Sequence, residues 1–195
     1  MNSNLETPNG LQSKIYKILN KCIDGADVWT SLINNKLEIL VGPQEDRQVQ
    51  RSDVLRICNI LKKSPGSVQT AFFKTIINSW ATTCRMQESP KLPCIFGCLD
   101  CKDELDHYLT CPTLWTLAAS STPLPLVFLE LGPRERLCMF NTTQDGLKIL
   151  AAVYRGYHTL KLSRRATIDH AIVSKDWVPI YLCFIECCGD ASRHS

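Results

Sequence analysis

Between Lys91 and Trp115, the stretch KLPCIFGCLDCKDELDHYLTCPTLW brings Cys94, Cys98, Cys101, His107 and Cys111 close together. Thiolate and imidazole are the groups that structural zinc takes in closed four-coordinate sites, with bonds of about 2.3 Å to sulfur and about 2.1 Å to nitrogen. His107 and Cys111 stand at i and i+4, so on a helix they share one face, with Cβ atoms about 5 to 6 Å apart. The other two ligands have to come from the turn before that helix, where Gly97 lets the backbone fold tightly. Five candidates compete for four positions. Cys94, Cys98, His107 and Cys111 give the spacing C-x3-C-x8-H-x3-C. Cys98, Cys101, His107 and Cys111 give C-x2-C-x5-H-x3-C, close to a nucleic-acid-binding zinc knuckle. A plainer alternative, buried apolar cysteines beside one core histidine, accounts for the residue types but less well for their spacing. A catalytic Cys–His pair lacks an orienting third group or an oxyanion hole nearby, and zinc-bound thiolates are not free nucleophiles. With every position filled by protein, no place remains for an activated water. The expectation is a structural Zn2+ and no enzymatic activity.

The elements that must hold these ligands follow from periodicity. Lys102 to Cys111 reads as the opening of a helix, with Asp103, Glu104 and Asp106 where the positive end of the helix dipole favours carboxylates. Upstream, Leu11, Ile15, Ile18, Leu19, Cys22 and Ile23 form one amphipathic stripe, after a polar 1–10 that reads as disordered. Asp27 is a fair N-cap for a helix through Trp29, Leu32, Ile33, Leu37 and Leu40, ended by Gly42 and Pro43. Ser52 or Asp53 opens another, with Val54, Ile57, Cys58 and Leu61 inward. The longest periodic segment runs from Ser67 to about Met86 on Val68, Ala71, Phe72, Ile76, Ile77 and Trp80. Downstream, Leu114, Leu117 and Ala118 continue a short helix, the apolar run Leu124 to Leu131 reads as an extended segment, and Pro133 to Arg136 turns the chain. Gln144 to Arg165 is a helix with Leu147, Leu150, Ala151, Tyr154, His158 and Leu162 inward. His158 reads as a core histidine, His170 and His194 have no nearby partners, and Cys187 and Cys188 read as core or incidental.

Composition sets the outer limits. The 195 residues, 45% hydrophobic and 21% charged, are ordinary for a globular protein. Eleven cysteines is an odd number, and MNSNLETPNG has neither a basic nor an apolar run, so a secreted disulfide framework is not indicated. A reducing, intracellular compartment fits, with the nucleus a candidate location. The apolar runs Leu124 to Leu131 and Val178 to Cys188 are shorter than the roughly 20 residues that span a bilayer.

The string WATTCRMQESPKLPCIFGCLDCKDELDHYLTCPTLW, Trp80 to Trp115, resembles the zinc-binding segment that follows the polymerase domain in non-LTR-retrotransposon-like reverse transcriptases. The resemblance rests on Trp80, Thr82, Arg85, Pro93, Cys94, Phe96, Gly97, Cys98, His107, Tyr108, Cys111, Pro112 and Trp115, and covers about a fifth of the chain. It implies Cys94, Cys98, His107 and Cys111 as the ligands, with Cys101 an extra thiol. It does not extend to polymerase chemistry, which needs carboxylates binding two metal ions; the chain has no Asp-Asp pair.

The formal charge of +3 is small, so the placement of the basic residues matters more than their sum. Lys148, Arg155, Lys161, Arg164 and Arg165 gather on the polar face and end of the Gln144 helix, where cations also complement the dipole. Arg51, Arg56, Lys62, Lys63, Lys74, Arg85 and Lys91 precede the cysteine cluster. Arg85, Lys91, Lys102, Lys161, Arg164 and Arg165 are the expected contacts to RNA or DNA phosphates. A protein partner on an apolar helix face is the competing expectation. The sequence thus predicts a mainly α protein, an irregular helical bundle with a small embedded zinc knuckle: 1–10 disordered, 11–90 helical, 91–115 the knuckle and 116–195 a second helical region with a frayed tail.

Overall fold

A computed structural model describes residues 17, 25–42, 48–121, 132–137, 139 and 143–193. The expected disorder of 1–10, the helix Leu11–Ile23, the run Leu124–Leu131 and His194 lie outside them, apart from the single residue Lys17. The fold is mainly helical. Among the described residues there are nine helices and no strand: α1 Ala26–Val41, α2 Arg51–Lys62, α3 Gly66–Ile76, α4 Leu105–Thr110, α5 Pro112–Ser121, α6 Pro133–Arg136, α7 Gln144–Ser163, α8 Arg165–Ser174 and α9 Val178–Arg193.

The first three helices are joined by polar clamps. Gly25 rather than Asp27 is the N-cap of helix α1, Asp27 lying in its first turn, and Gly42 is the C-cap, its N–H donating to Glu38 O at 3.0 Å. Asn34 fastens the next segment to α1 by donating to Val49 O and accepting from Val49 N–H, both at 2.9 Å. Helix α2 then starts on a capping box between Gln50 and Asp53, a pairing that satisfies two otherwise orphaned N–H groups. Val54, Ile57, Cys58 and Leu61 face inward as expected. From α3, the buried Gln69 amide donates to Leu61 O at 2.9 Å and Ser64 O at 3.0 Å, closing the end of α2.

Helix α3 is shorter than its apolar stripe suggests. It ends at Ile76, because Asn78 adopts φ 51°, and Ile77 is exposed. Asn tolerates the left-handed region better than most residues. Trp80 is nevertheless buried, now in a loop, with its indole N–H donating to Thr75 Oγ1 at 3.0 Å.

Helix α7 is the central element, packed against α3, α5, α8 and α9. Leu147, Leu150 and Ala151 are buried as expected, Tyr154 and His158 half-buried. At its C-terminal end the buried face is rotated from the expected stripe: Gly156, Tyr157, Leu160 and Lys161 point inward, while Leu162 is 71% exposed. The reason is that this end is enclosed by the cysteine-bearing loop on one side and α9 on the other. Helix α9 carries the sequence predicted as a fraying tail through to Arg193, with Ile180, Phe184 and Cys188 buried. One apolar cluster runs from Ile33 to Cys188 and includes Cys94, Ile95, Phe96 and Cys111.

Candidate metal centre

The cysteine segment folds as two short antiparallel pieces and a tight turn. Cys94 N–H donates to Cys101 O at 2.8 Å and Asp103 N–H to Leu92 O at 3.0 Å, around an isolated bridge between Pro93 and Lys102. Gly97 N–H donates to Cys94 O at 3.1 Å and the glycine has φ 82°, so the chain reverses between Cys94 and Cys98. Helix α4 follows, shorter than predicted, with Glu104 at its N-cap and Cys111 at its C-cap. His107 and Cys111 are thereby held one turn apart.

The four side chains converge. One imidazole nitrogen of His107 and the sulfurs of Cys94, Cys98 and Cys111 all lie within 4.8 Å of one another. Cys98 Sγ and Cys111 Sγ are 3.5 Å apart. In a tetrahedron with metal–sulfur bonds of about 2.3 Å the sulfurs would stand roughly 3.8 Å apart, so the group has the dimensions to hold an ion. Cys101 is outside it; its part is its carbonyl, which accepts from Cys94 N–H.

The surroundings suit anionic sulfur. Phe96 N–H points at Cys94 Sγ and Leu114 N–H at Cys111 Sγ, each at 3.4 Å, and hydrogen bonds to the charged form favour it. The Cys111 thiol beside it lowers the Cys94 pKa despite burial, with His107 helping. Cys111 is correspondingly raised, because the two sulfurs share a proton and burial disfavours a second charge. The Cys94 sulfur raises His107, against the effect of burial. His107 Nε2 is buried with no hydrogen-bond partner. Buried polar atoms are normally satisfied, and a bound cation would satisfy this one. Donor types, distances and the orphaned nitrogen all fit a metal ion held by Cys94, Cys98, His107 and Cys111.

Behind the centre lies an anchor that sequence reasoning misses. Asp103, expected in the first turn of the helix as a partner of its dipole, precedes α4 instead and is completely buried. Oδ1 accepts from Tyr108 OH at 2.7 Å and Tyr157 OH at 2.8 Å; Oδ2 accepts from Lys161 Nζ at 2.8 Å and Thr83 N–H at 2.7 Å. Burial pushes the carboxyl up, but Lys161, Tyr108 and Thr83 outweigh it and hold the pKa below the usual carboxylate range. Trp80 packs on this group, its ring centroid 6.1 Å from that of Tyr108 and 4.9 Å from that of Tyr157. The one sequence signal for this anchor is Tyr157 and Lys161 at i and i+4 within an otherwise apolar helix face.

Lys161 therefore leaves the expected nucleic-acid-binding set. Its side chain is 3% exposed and paired with Asp103, because it lies on the inward face of α7. Arg85, Lys91, Lys102, Arg164 and Arg165 are exposed. Arg165 pairs with Glu88 at 3.2 Å and Asp169 at 3.1 Å. The Glu88 pair joins the loop bearing Arg85 and Lys91 to the α7–α8 junction bearing Arg164 and Arg165. His158 sits among Trp80, Tyr154 and Tyr157, with burial and nearby Lys74 lowering its pKa to about 4. Among the described residues, no helix is long and apolar enough to cross a membrane. Comparison with protein-family models, curated proteins and solved structures finds no match to this chain.

Proposed function

We propose that this chain is a zinc-stabilised nucleic-acid-binding module, of the kind that follows the polymerase domain in non-LTR-retrotransposon-like reverse transcriptases. The convergence of Cys94, Cys98, His107 and Cys111 within 4.8 Å carries this reading. Three soft thiolates and one imidazole brought within 4.8 Å of one another favour zinc over calcium or magnesium, which take oxygen ligands. Four protein ligands complete the shell, so the ion acts as a cross-link between the Gly97 turn and the α4–α5 corner and not as a catalyst.

Nucleic-acid binding is supported by the way the fold draws together basic residues far apart in sequence. Arg85, Lys91 and Lys102 flank the metal loop, and the Glu88–Arg165 pair brings Arg164 and Arg165 to the same loop. Cations so arranged attract phosphates without reading base sequence. Fluorescence anisotropy with labelled single-stranded RNA and duplex DNA, from low to physiological salt, tests the proposal. The expected result is binding whose logarithm falls linearly with the logarithm of salt concentration. No binding near 50 mM salt would remove it.

A second reading, a helical protein-interaction module, draws on exposed apolar side chains. Val28 and Ile39 on α1 are 72% and 75% exposed, and Val178 and Leu182 on α9 are 56% and 58% exposed. A stable monomer that binds nucleic acid and no hydrophobic dye would count against it.

A further inference from the structure

We infer that Cys98 and Cys111 form a peroxide-sensitive pair, in which oxidation to a disulfide expels the metal and takes over its cross-linking role. This rests on the metal-centre reading for its first step and on the thiol geometry alone for its second.

The three ligand sulfurs are not equivalent. Cys94 and Cys111 have no exposed surface, whereas Cys98 is half-buried and is the sulfur a small oxidant can reach. Cys98 also has a resolving thiol within reach, Cys111 Sγ at 3.5 Å, and the Thr113 hydroxyl lies 3.7 Å from its sulfur. A movement of about 1.5 Å between the sulfurs suffices for a disulfide. His107 also lines an open hollow of about 440 Å³ with Ile39, Asp106, Thr110 and Pro133.

The chemistry balances with a hydroperoxide as oxidant. When the half-buried Cys98 dissociates from the ion, its thiolate lone pair attacks one peroxide oxygen, the O–O bond breaks, and hydroxide leaves with a solvent proton as water. The Cys111 sulfur then attacks Cys98 Sγ, the S–O bond breaks, and the second oxygen leaves as water with another proton. The two thiolates lose two electrons, and hydrogen peroxide gains them to become two waters. Cys94 and His107 alone cannot retain the ion, because a disulfide sulfur is a far weaker ligand than a thiolate.

The bond so formed ties the Gly97 turn to the start of α5, as the metal does. The oxidised protein should therefore keep its helices, whereas reduced metal-free protein should lose part of them.

The test treats the protein as isolated with hydrogen peroxide. It follows metal release with a chromogenic chelator, maps disulfides by peptide mass spectrometry and records circular dichroism before and after. One ion released per Cys98–Cys111 disulfide, retained helix content, and unchanged behaviour in Cys101→Ser are the expected results. A disulfide through Cys94 or Cys101, metal retained at full peroxide consumption, or helix loss matching that of reduced apo-protein would each overturn the inference. Protein isolated without metal would defeat the metal-centre reading, while the mapped disulfide still decides the pairing.

Discussion

The Trp177 indole occupies the space that a side chain on Gly97 would need. A Cβ at Gly97 would lie 2.8 Å from each of three indole atoms. The first residues of α9 continue the contact. Tyr181 OH donates to Phe96 O at 3.1 Å, and Phe184 meets Phe96 edge-on at 5.2 Å. The turn that presents Cys94 and Cys98 is thus shaped from inside by the fold and capped from outside by a helix about 80 residues further along the chain.

Gly97→Ala should therefore be costly for two separate reasons. Its φ of 82° strains any L side chain, and the methyl group displaces Trp177. Together they should lower stability by about 2 to 4 kcal/mol. Urea titration would register the loss, and Trp177 emission should shift to longer wavelength as α9 lifts from the turn. A variant as stable as the parent would show that α9 does not cap the site.

Metal removal should act first on the elements with least core of their own. Helix α4 has six residues, and isolated helices of that length are marginal in water. A structural zinc contributes on the order of 10 kcal/mol to folding in small fingers, comparable to the net stability of a whole domain. One zinc per chain by elemental analysis is expected, with loss of helix content on chelation. Cys94→Ser, Cys98→Ser and Cys111→Ser should each reproduce that loss, and Cys101→Ser should not. Metal retained by Cys94→Ser and released by Cys101→Ser would transfer the site to the other quartet.

What is legible in the sequence is whatever one element decides alone. His107 and Cys111 can be paired because a helix fixes the geometry of i and i+4. The Gly97 turn can be placed because a short loop has few ways to bring Cys94 to Cys98. Asp103 cannot be understood in the same way. A carboxylate just before a helix reads as a dipole partner, and its actual partners Tyr157 and Lys161 lie 54 and 58 residues away. Lys161 is misread with it, since a lysine in a basic cluster looks like surface until a buried acid is known to face it. The overrun of α3 has a more local cause: apolar periodicity continues through Ile77 and Trp80, but the backbone at Asn78 has already left the helix.

The exposed basic residues and Lys161 should separate in a salt titration. Replacing Arg164 and Arg165 with alanine should weaken nucleic-acid binding at low salt and flatten the salt slope by about one unit for each phosphate that is no longer neutralised. Arg85→Ala with Lys91→Ala should do the same from the other side of the Glu88 ion pair. Substituting Lys161 should instead lower stability, and any effect on binding should follow the unfolded fraction. Equal slopes in all three variants would mean that phosphate is bound elsewhere.

The Asp103–Lys161 pair makes the fold acid-sensitive in a definite direction. The Asp103 carboxyl is held below its ordinary pKa of about 3.9. Its ionised form therefore favours the folded state. The contribution is complete above that ordinary value and is lost as pH falls through the lower, folded-state pKa. Asp103→Asn removes the charge while keeping most of the shape, leaving the buried Lys161 with only the more exposed Glu88, at 3.8 Å, as counter-ion. Breaking a buried pair outright costs about 3 to 5 kcal/mol, and with Glu88 still facing Lys161 the variant should be less stable than the parent by up to about that amount at neutral pH. The gap should narrow as the solution is acidified below about pH 4, since the parent then loses what the variant already lacks. Urea midpoints for the two proteins across the acid range provide the measurement, and a gap independent of pH would mean that the carboxylate charge is not what holds α7 to the metal loop.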